Sequence, residues 1–236
     1  SMNPDPGNVP VYNWLSLYNP EAAPFRLRLT IFDLRGVKTT EESLSVAAGE
    51  RRDIPLGHNF LTNGGQNVGM YEITPEDSSS PYQAFLMRYG SAAGAFRFAF
   101  PLFPRSGSNQ LQTTFAATVN NALNWAEVAN VGEETCDVQV RVRDRAGTLL
   151  STNSYTVPAH GQLHFFVNGV LGGAGLGTLE AQPLCNGATF LLQNLYYGFR
   201  SGSERLLWAY AAQDELIRGG RDTRLGFLTN TFLGMA

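Results

Sequence analysis

The chain has 236 residues, of which 43% are hydrophobic and 16% charged. That is enough apolar material for a packed core and too little charge for a disordered chain. A net charge of -3 argues against a chain built as a whole for nucleic acid, and no apolar run reaches the length of about 18 residues that marks a membrane span.

Ser1 and Met2 read as a cloning scar, so the expectation is a secreted chain from which a signal peptide has been removed. The first expected strand carries Asn13-Trp14 and runs to Asn19. The next alternates Leu27, Leu29 and Ile31 with Arg26 and Arg28, the pattern of a sheet with one buried and one wet face. Asp33 to Gly36 is D-x-x-G, which suits a type I turn, and the strand after it ends at Val46. Further strands are expected at Arg52 to Leu56, Met70 to Ile73, Tyr82 to Tyr89 and Ala95 to Leu102, with a Gly-rich loop from Gly57 to Gly69. Phe96, Phe98, Phe100 and Phe103 are core by their spacing.

Past Arg105 to Gln110, a small polar stretch that reads as a boundary, the series starts again. Asn124-Trp125 opens it. Val138, Val140 and Val142 then alternate with polar residues, and Asp144 to Gly147 repeats the turn. Strands follow that end at Val157, run from Leu163 to Val167, from Thr178 to Ala181, from Thr189 to Tyr197 and from Arg205 to Ala211, with a Gly-rich loop from Gly169 to Gly177. Ala212 to Arg218 reads as a short helix. The remainder echoes the opening strand in Leu225 to Asn230, as the first strand of a third copy or a last strand pairing within this chain.

A shift of 111 residues makes the repetition explicit. Positions 13 to 48 then hold eight identities in 36 residues, among them Asn13-Trp14 on Asn124-Trp125, Asn19 on Asn130, and Asp33 and Gly36 on Asp144 and Gly147. Background frequencies give roughly two. The offset becomes 108 further on, where Tyr89-Gly90 falls on Tyr197-Gly198, and 110 at the last strand. A period this long implies a whole domain per copy. About seven short strands per copy, with turn signals at about 8 to 12 residues, are the signature of a sandwich. The expected fold is all-β, two tandem β-sandwiches related by internal duplication. The first spans 9–106, the second 107–218, and 219–236 forms a strand or tail. Cutting near residue 107 is expected to leave two pieces that fold separately.

The N-W-x-x-x-x-N strand, the alternating strand, D-x-x-G, the Val-Pro-Ala-like strand and the late Tyr-Gly together resemble immunoglobulin-like β-sandwich repeats of bacterial secreted and surface proteins. The resemblance covers both halves. It implies an extracellular, structural or adhesive module and brings no catalytic residues with it. Cys136 and Cys185 share one half and are a plausible disulfide. Cys136 aligns with Phe25 and Cys185 with Asp77, so a bridge is private to the second copy and peripheral. Closing a loop of about 50 residues contributes about 4 kcal/mol.

No H-E-x-x-H, G-x-x-x-x-G-K-[ST] or G-x-S-x-G motif occurs. Strand spacing sets His160 and His164 on one side, where they could share a metal. Gly49 and Asp53 stand opposite them in the first copy, however, which favours isolated surface histidines. The expectation is a non-enzyme without cofactor or metal. Two features point to binding. Arg26, Arg28, Arg141 and Arg143 form an arginine face able to hold sulfate, carboxylate or uronate groups. Trp14 and Trp125 stack on sugar rings if exposed, although their recurrence fits core packing better. The leading expectation is therefore a cell-surface structural or adhesion module with a protein or glycan surface ligand. The alternative is a carbohydrate-binding module for a neutral or anionic polysaccharide. Neither reading involves nucleic acid or membrane insertion. Neighbouring repeats or a homo-oligomer through strand edges fit both.

Overall fold

The computed structural model describes residues 11–56, 69–76, 81–92, 95–118, 122–172, 175–199 and 206–213. In chain order the strands are β1 (Val11–Tyr18), β2 (Phe25–Asp33), β3 (Lys38–Val46), β4 (Arg51–Leu56), β5 (Gly69–Pro75), β6 (Gln83–Ala92) and β7 (Ala95–Leu102). The second half has β8 (Gln112–Ala117), β9 (Ala122–Asn130), β10 (Cys136–Asp144), β11 (Leu149–Val157), β12 (Gln162–Phe166), the short helix α1 (Asn168–Leu171), β13 (Leu176–Pro183), β14 (Phe190–Phe199) and β15 (Leu206–Gln213). The chain is all-β, in several antiparallel sheets.

Sheet I has the order β4-β1-β6-β7 and sheet II the order β3-β2-β5. Sheet III is β12-β9-β14-β15 and sheet IV is β11-β10-β13-β8. Sheets I and III thus use matching strands in matching order. So do II and IV, except that β8 is added beside β13.

The alternation explains the burial. Val138, Val140 and Val142 of β10 are all buried, as are Leu27, Leu29 and Ile31 of β2, because successive side chains on a strand point to opposite faces. Both D-x-x-G turns close in the same way. Asp33 Oδ1 accepts the N–H groups of Arg35 and Val37 at 2.8 and 2.9 Å. Asp144 Oδ1 accepts those of Ala146 and Thr148 at 2.9 and 2.8 Å. Gly36 and Gly147 follow at φ +83° and +88°, a conformation that glycine adopts without steric cost. A register shift sits next to each turn, at Ile31/Phe32 and at Val142/Arg143.

The repeated asparagine has an equally specific task. Asn19 Nδ2 donates to the carbonyls of Ala23, Val46 and Ala47, while its Oδ1 accepts Glu21 N–H. Asn130 Nδ2 donates to Glu134 and Val157, and its Oδ1 accepts Gly132 N–H. Both side chains are buried. Each ties the end of one strand to the strand of the neighbouring sheet, at a point where unpaired carbonyls would be costly.

Two hydrophobic clusters form. One belongs to the second half and joins β9, β10, β13 and β14 through Val128, Val138, Val140, Leu179 and Leu192. The other joins sheets I and II through Leu15, Leu17, Leu27, Ile31, Leu86 and Phe100, but it also includes Leu195 and Tyr197 of sheet III. Sheet III therefore contributes cluster residues from both of its faces. A second junction lies at the turns. Gln162 N–H donates to Leu34 O at 2.9 Å, and the ring of His160 stacks on Phe32 at 4.2 Å and 7°.

Several expectations need correction. Strand β8 was not expected, because Q-T-T-F-A-A alternates in the opposite sense to a core strand. Gln112, Thr114 and Ala116 point inward, and Phe115 is 78% exposed. The inward neighbours are polar: Asn194 Nδ2 and Tyr196 Oη both donate to Phe115 O, and Leu192 N–H donates to Gln112 Oε1. The helix expected at Ala212 to Arg218 begins as strand, since Ala212 and Gln213 belong to β15, and its remainder lies outside the described residues. Part of the second Gly-rich loop is α1, positioned by Asn168, which accepts Asn124 N–H and donates to Ala122 O. Phe103 is 55% exposed, while Phe98 and Phe100 are buried. The loop 57–68, the side chain of Phe96 and the tail 214–236 lie outside the description.

Candidate functional site

Strand β1 is apolar on both faces. Leu15 and Leu17 point into the core, and Tyr12, Trp14 and Tyr18 occupy the other face of sheet I. Register brings Tyr12 opposite Tyr89, Trp14 between Met87 and Pro55, and Ser16 between Phe85 and Asp53. The Tyr12 and Tyr89 rings stack at 5.2 Å and 24°. Trp14 Nε1 donates to Tyr89 Oη at 2.9 Å. Tyr12 and Tyr18 are 40% and 39% exposed, and Trp14, Phe85, Met87 and Tyr89 are half-buried.

A polar corner adjoins the rings. Ser16 Oγ donates to Asp53 Oδ1 at 2.5 Å, and Arg51 Nε reaches the same oxygen at 3.1 Å. The serine hydrogen bond is the main cause of an Asp53 carboxyl held below the usual carboxylate range; burial opposes it, and Arg51 adds to the lowering. The Arg51 guanidinium lies 6.0 Å from the centre of the Phe85 ring, within cation–π range. Rings, a thioether, a hydroxyl and one ion pair are the chemistry of a contact face.

The corresponding face of sheet III is covered. Trp125, Leu123, Leu195 and Tyr197 pack into the cluster built by the first half, and Trp125 also meets Phe166 at 5.3 Å. The two tryptophans sit at matching positions and both are half-buried, Trp14 beside the exposed Tyr12 and Trp125 packed against the cluster of the first half. Tyr12, Tyr18, Phe85 and Met87 were missed by sequence reasoning. The usable signal was a pair of strands, V-Y-N-W-L-S-L-Y and Q-A-F-L-M-R-Y, with apolar residues at both parities.

The arginines are distributed otherwise. Arg141 and Arg143 both engage Glu180, at 3.5 and 2.8 Å. Arg28 lies 3.9 Å from Glu41, which also takes Lys38 at 3.1 Å. Arg26 and Arg28 are exposed. The exposed Arg28–Glu41 and Lys38–Glu41 pairs contribute about 0–1 kcal/mol.

His160 and His164 are not surface residues as expected. Their side chains are 13% and 12% exposed for His160 and His164. His160 takes the left-handed conformation, φ +54°, at the position where the first half has Gly49. Its Nε2 lies 3.2 Å from Glu133 Oε2. His164 sits in β12 with Nε2 2.9 Å from Gln162 Oε1 and Nδ1 3.9 Å from the buried Glu127. Burial lowers its pKa, against an opposing pull from Glu127. Among the described residues no cluster of three metal-ligating side chains forms.

Cys136 and Cys185 form a disulfide, with Cα atoms 5.8 Å apart. No helix among the described residues is long and apolar enough to cross a membrane, which says nothing of a β-barrel. The chain matches no family model, no curated protein and no solved structure.

Proposed function

We propose that the chain is a non-catalytic extracellular or cell-surface module, built from two immunoglobulin-like β-sandwiches descended from one duplicated unit, with a structural and adhesive role. The observation that carries this reading is the matched scaffold. Both halves run their strands in the same order and close the same turn and the same asparagine network with equivalent residues. A disulfide fits an oxidising compartment. The outer face of sheet I supplies the contact surface, because Tyr12, Trp14 and Tyr89 present apolar ring area there with little conformational entropy to lose.

The test is retention of protein-coated beads on bacterial cell surfaces, comparing the native chain with Trp14→Ala/Tyr89→Ala. The native chain should be retained and the variant released, with unchanged circular dichroism. Equal retention of both would remove the adhesive assignment. A second reading, a carbohydrate-binding module, is favoured by the Asp53–Arg51 pair beside the rings. It predicts glycan-array signals that Tyr12→Ala weakens and free sugar competes away.

A further inference from the structure

Two Asn-Gly pairs among the described residues stand in opposite surroundings. Asn168-Gly169 opens α1. Asn168 Oδ1 accepts Asn124 N–H at 2.8 Å and its Nδ2 donates to Ala122 O at 2.7 Å, so both ends of the side-chain amide are held. The Asn168 carbonyl accepts Gly172 N–H at 2.9 Å, which fixes the helical turn that follows. Asn186-Gly187 lies instead in the connection between β13 and β14, and both of its residues are exposed.

That connection is a four-residue turn. Ala188 N–H donates to Cys185 O at 3.4 Å, and Gly187 takes φ +77°, the mark of a type II turn at its third residue. Asn186 and Gly187 are the central pair, and the N–H between them takes no part in the turn's own hydrogen bond. Neither the Asn186 side chain nor the Gly187 N–H makes a hydrogen bond with another described residue. A Cβ at Gly187 would meet nothing within 4 Å, so no neighbouring chain crowds the pair on that side. The flanks, by contrast, are tied. Cys185 is bridged to Cys136, Leu184 N–H donates to Asp137 O at 2.9 Å, and Thr189 O accepts Val131 N–H at 2.9 Å.

We propose that Asn186 is a site of spontaneous self-modification, deamidating through a cyclic imide while Asn168 stays intact. The Gly187 backbone nitrogen bonds to Asn186 Cγ and gives up its proton; the Cγ–Nδ2 bond breaks, and ammonia leaves with that proton. Water then opens the ring at one of its two carbonyls. One opening gives an aspartyl residue, and the other an isoaspartyl residue with the main chain running through the side-chain carbon. Nothing is oxidised or reduced, and water is the sole co-reactant. Glycine permits the attack, because it carries no Cβ to crowd the backbone nitrogen. At Asn168 the same attack must first break the two side-chain hydrogen bonds and the helical turn. The product adds one carboxylate to a chain of net charge -3, next to the disulfide.

The test is to hold the full, disulfide-intact chain at mildly alkaline pH and map its peptides by mass for the exchange of NH2 for OH. Asn186 should convert about tenfold faster than Asn168, whose reaction waits on local opening of α1. In denaturant the two rates should converge, since each asparagine is then followed by glycine in open chain. Asn63-Gly64 lies outside the described residues and is told apart by its own peptide. Asn186→Gln should remove the isoaspartyl product from the peptide spanning 184–190. Equal rates at Asn186 and Asn168 in the folded chain would overturn the proposal. Conversion of Asn186 to the aspartyl form alone would exclude the imide route and overturn it as well.

Discussion

The first half rests on the second in a way that the second does not rest on the first. Strand β8 covers the open side of sheets III and IV, where Gln112 Oε1 accepts Leu192 N–H, Thr114 Oγ1 donates to Ala212 O and the buried Asn194 donates to Phe115 O. The same side of sheets I and II is covered by the outer face of sheet III, with Tyr197 and Leu195 buried. One frame thus accepts two kinds of closure. Equivalent positions that carry Tyr196 in one half and Arg88 in the other show how side chains adapt to the closing element. A similar exchange occurs at the strand entrance. At the position of Cys136, which is bridged to Cys185, the first half has Phe25, whose ring stacks on Tyr82 at 5.5 Å and 24°.

The largest effects should come from that exchange. Phe25→Ala empties a buried site and is expected to cost about 3–5 kcal/mol. Cys136→Ser/Cys185→Ser releases a loop constraint and is expected to cost about 2–4 kcal/mol. Chemical denaturation of the two variants compares them directly. If the serine pair left stability unchanged, ring packing and bridge would not be equivalent supports.

The two D-x-x-G turns allow a sharper comparison, because their local geometry is the same and their surroundings are not. A Cβ at Gly147 meets nothing within 4 Å, so Gly147→Ala pays only for its left-handed backbone, about 1–2 kcal/mol. A Cβ at Gly36 would overlap the Ala159 carbonyl oxygen across the junction of the halves. Gly36→Ala should exceed Gly147→Ala by about 2–3 kcal/mol. Equal costs in thermal melts would mean that the 33–37 turn does not dock on the 158–162 turn.

The smallest expected effect is a pH slope. His164 is buried beside Glu127, within reach of the charge on Arg88, and burial holds its pKa below the ordinary value. A depressed folded-state value means that the contribution to stability is complete above the unfolded-state pKa of about 6.5 and is lost as pH falls through the folded-state value. His164→Gln should flatten stability across that window.

Much of the scaffold was legible before any coordinates. The valines of β10 fall inside because strand period and hydrophobic period coincide, and Asp33 and Gly36 announce their turn because few other residues accept its geometry. Repetition of Asn19 as Asn130 was visible, although its hydrogen-bonding task was not. The contact face was half-legible. Trp14 stood out as a repeated residue, but Tyr12, Phe85 and Met87 join it only through register between strands about 70 residues apart.

Strand positions, the two turns and the doubling of the pattern were therefore determined by local chemistry, since alternation and turn stereochemistry act within a few residues. The roles of Trp14 and Trp125 were decided only by tertiary structure. Their sequence contexts are alike, yet one face of sheet III lies against the first half and the matching face of sheet I does not. Strand β8 was hidden for the same reason. Its inward residues are polar because the side chains they meet are polar, and those partners lie some 80 residues further along the chain.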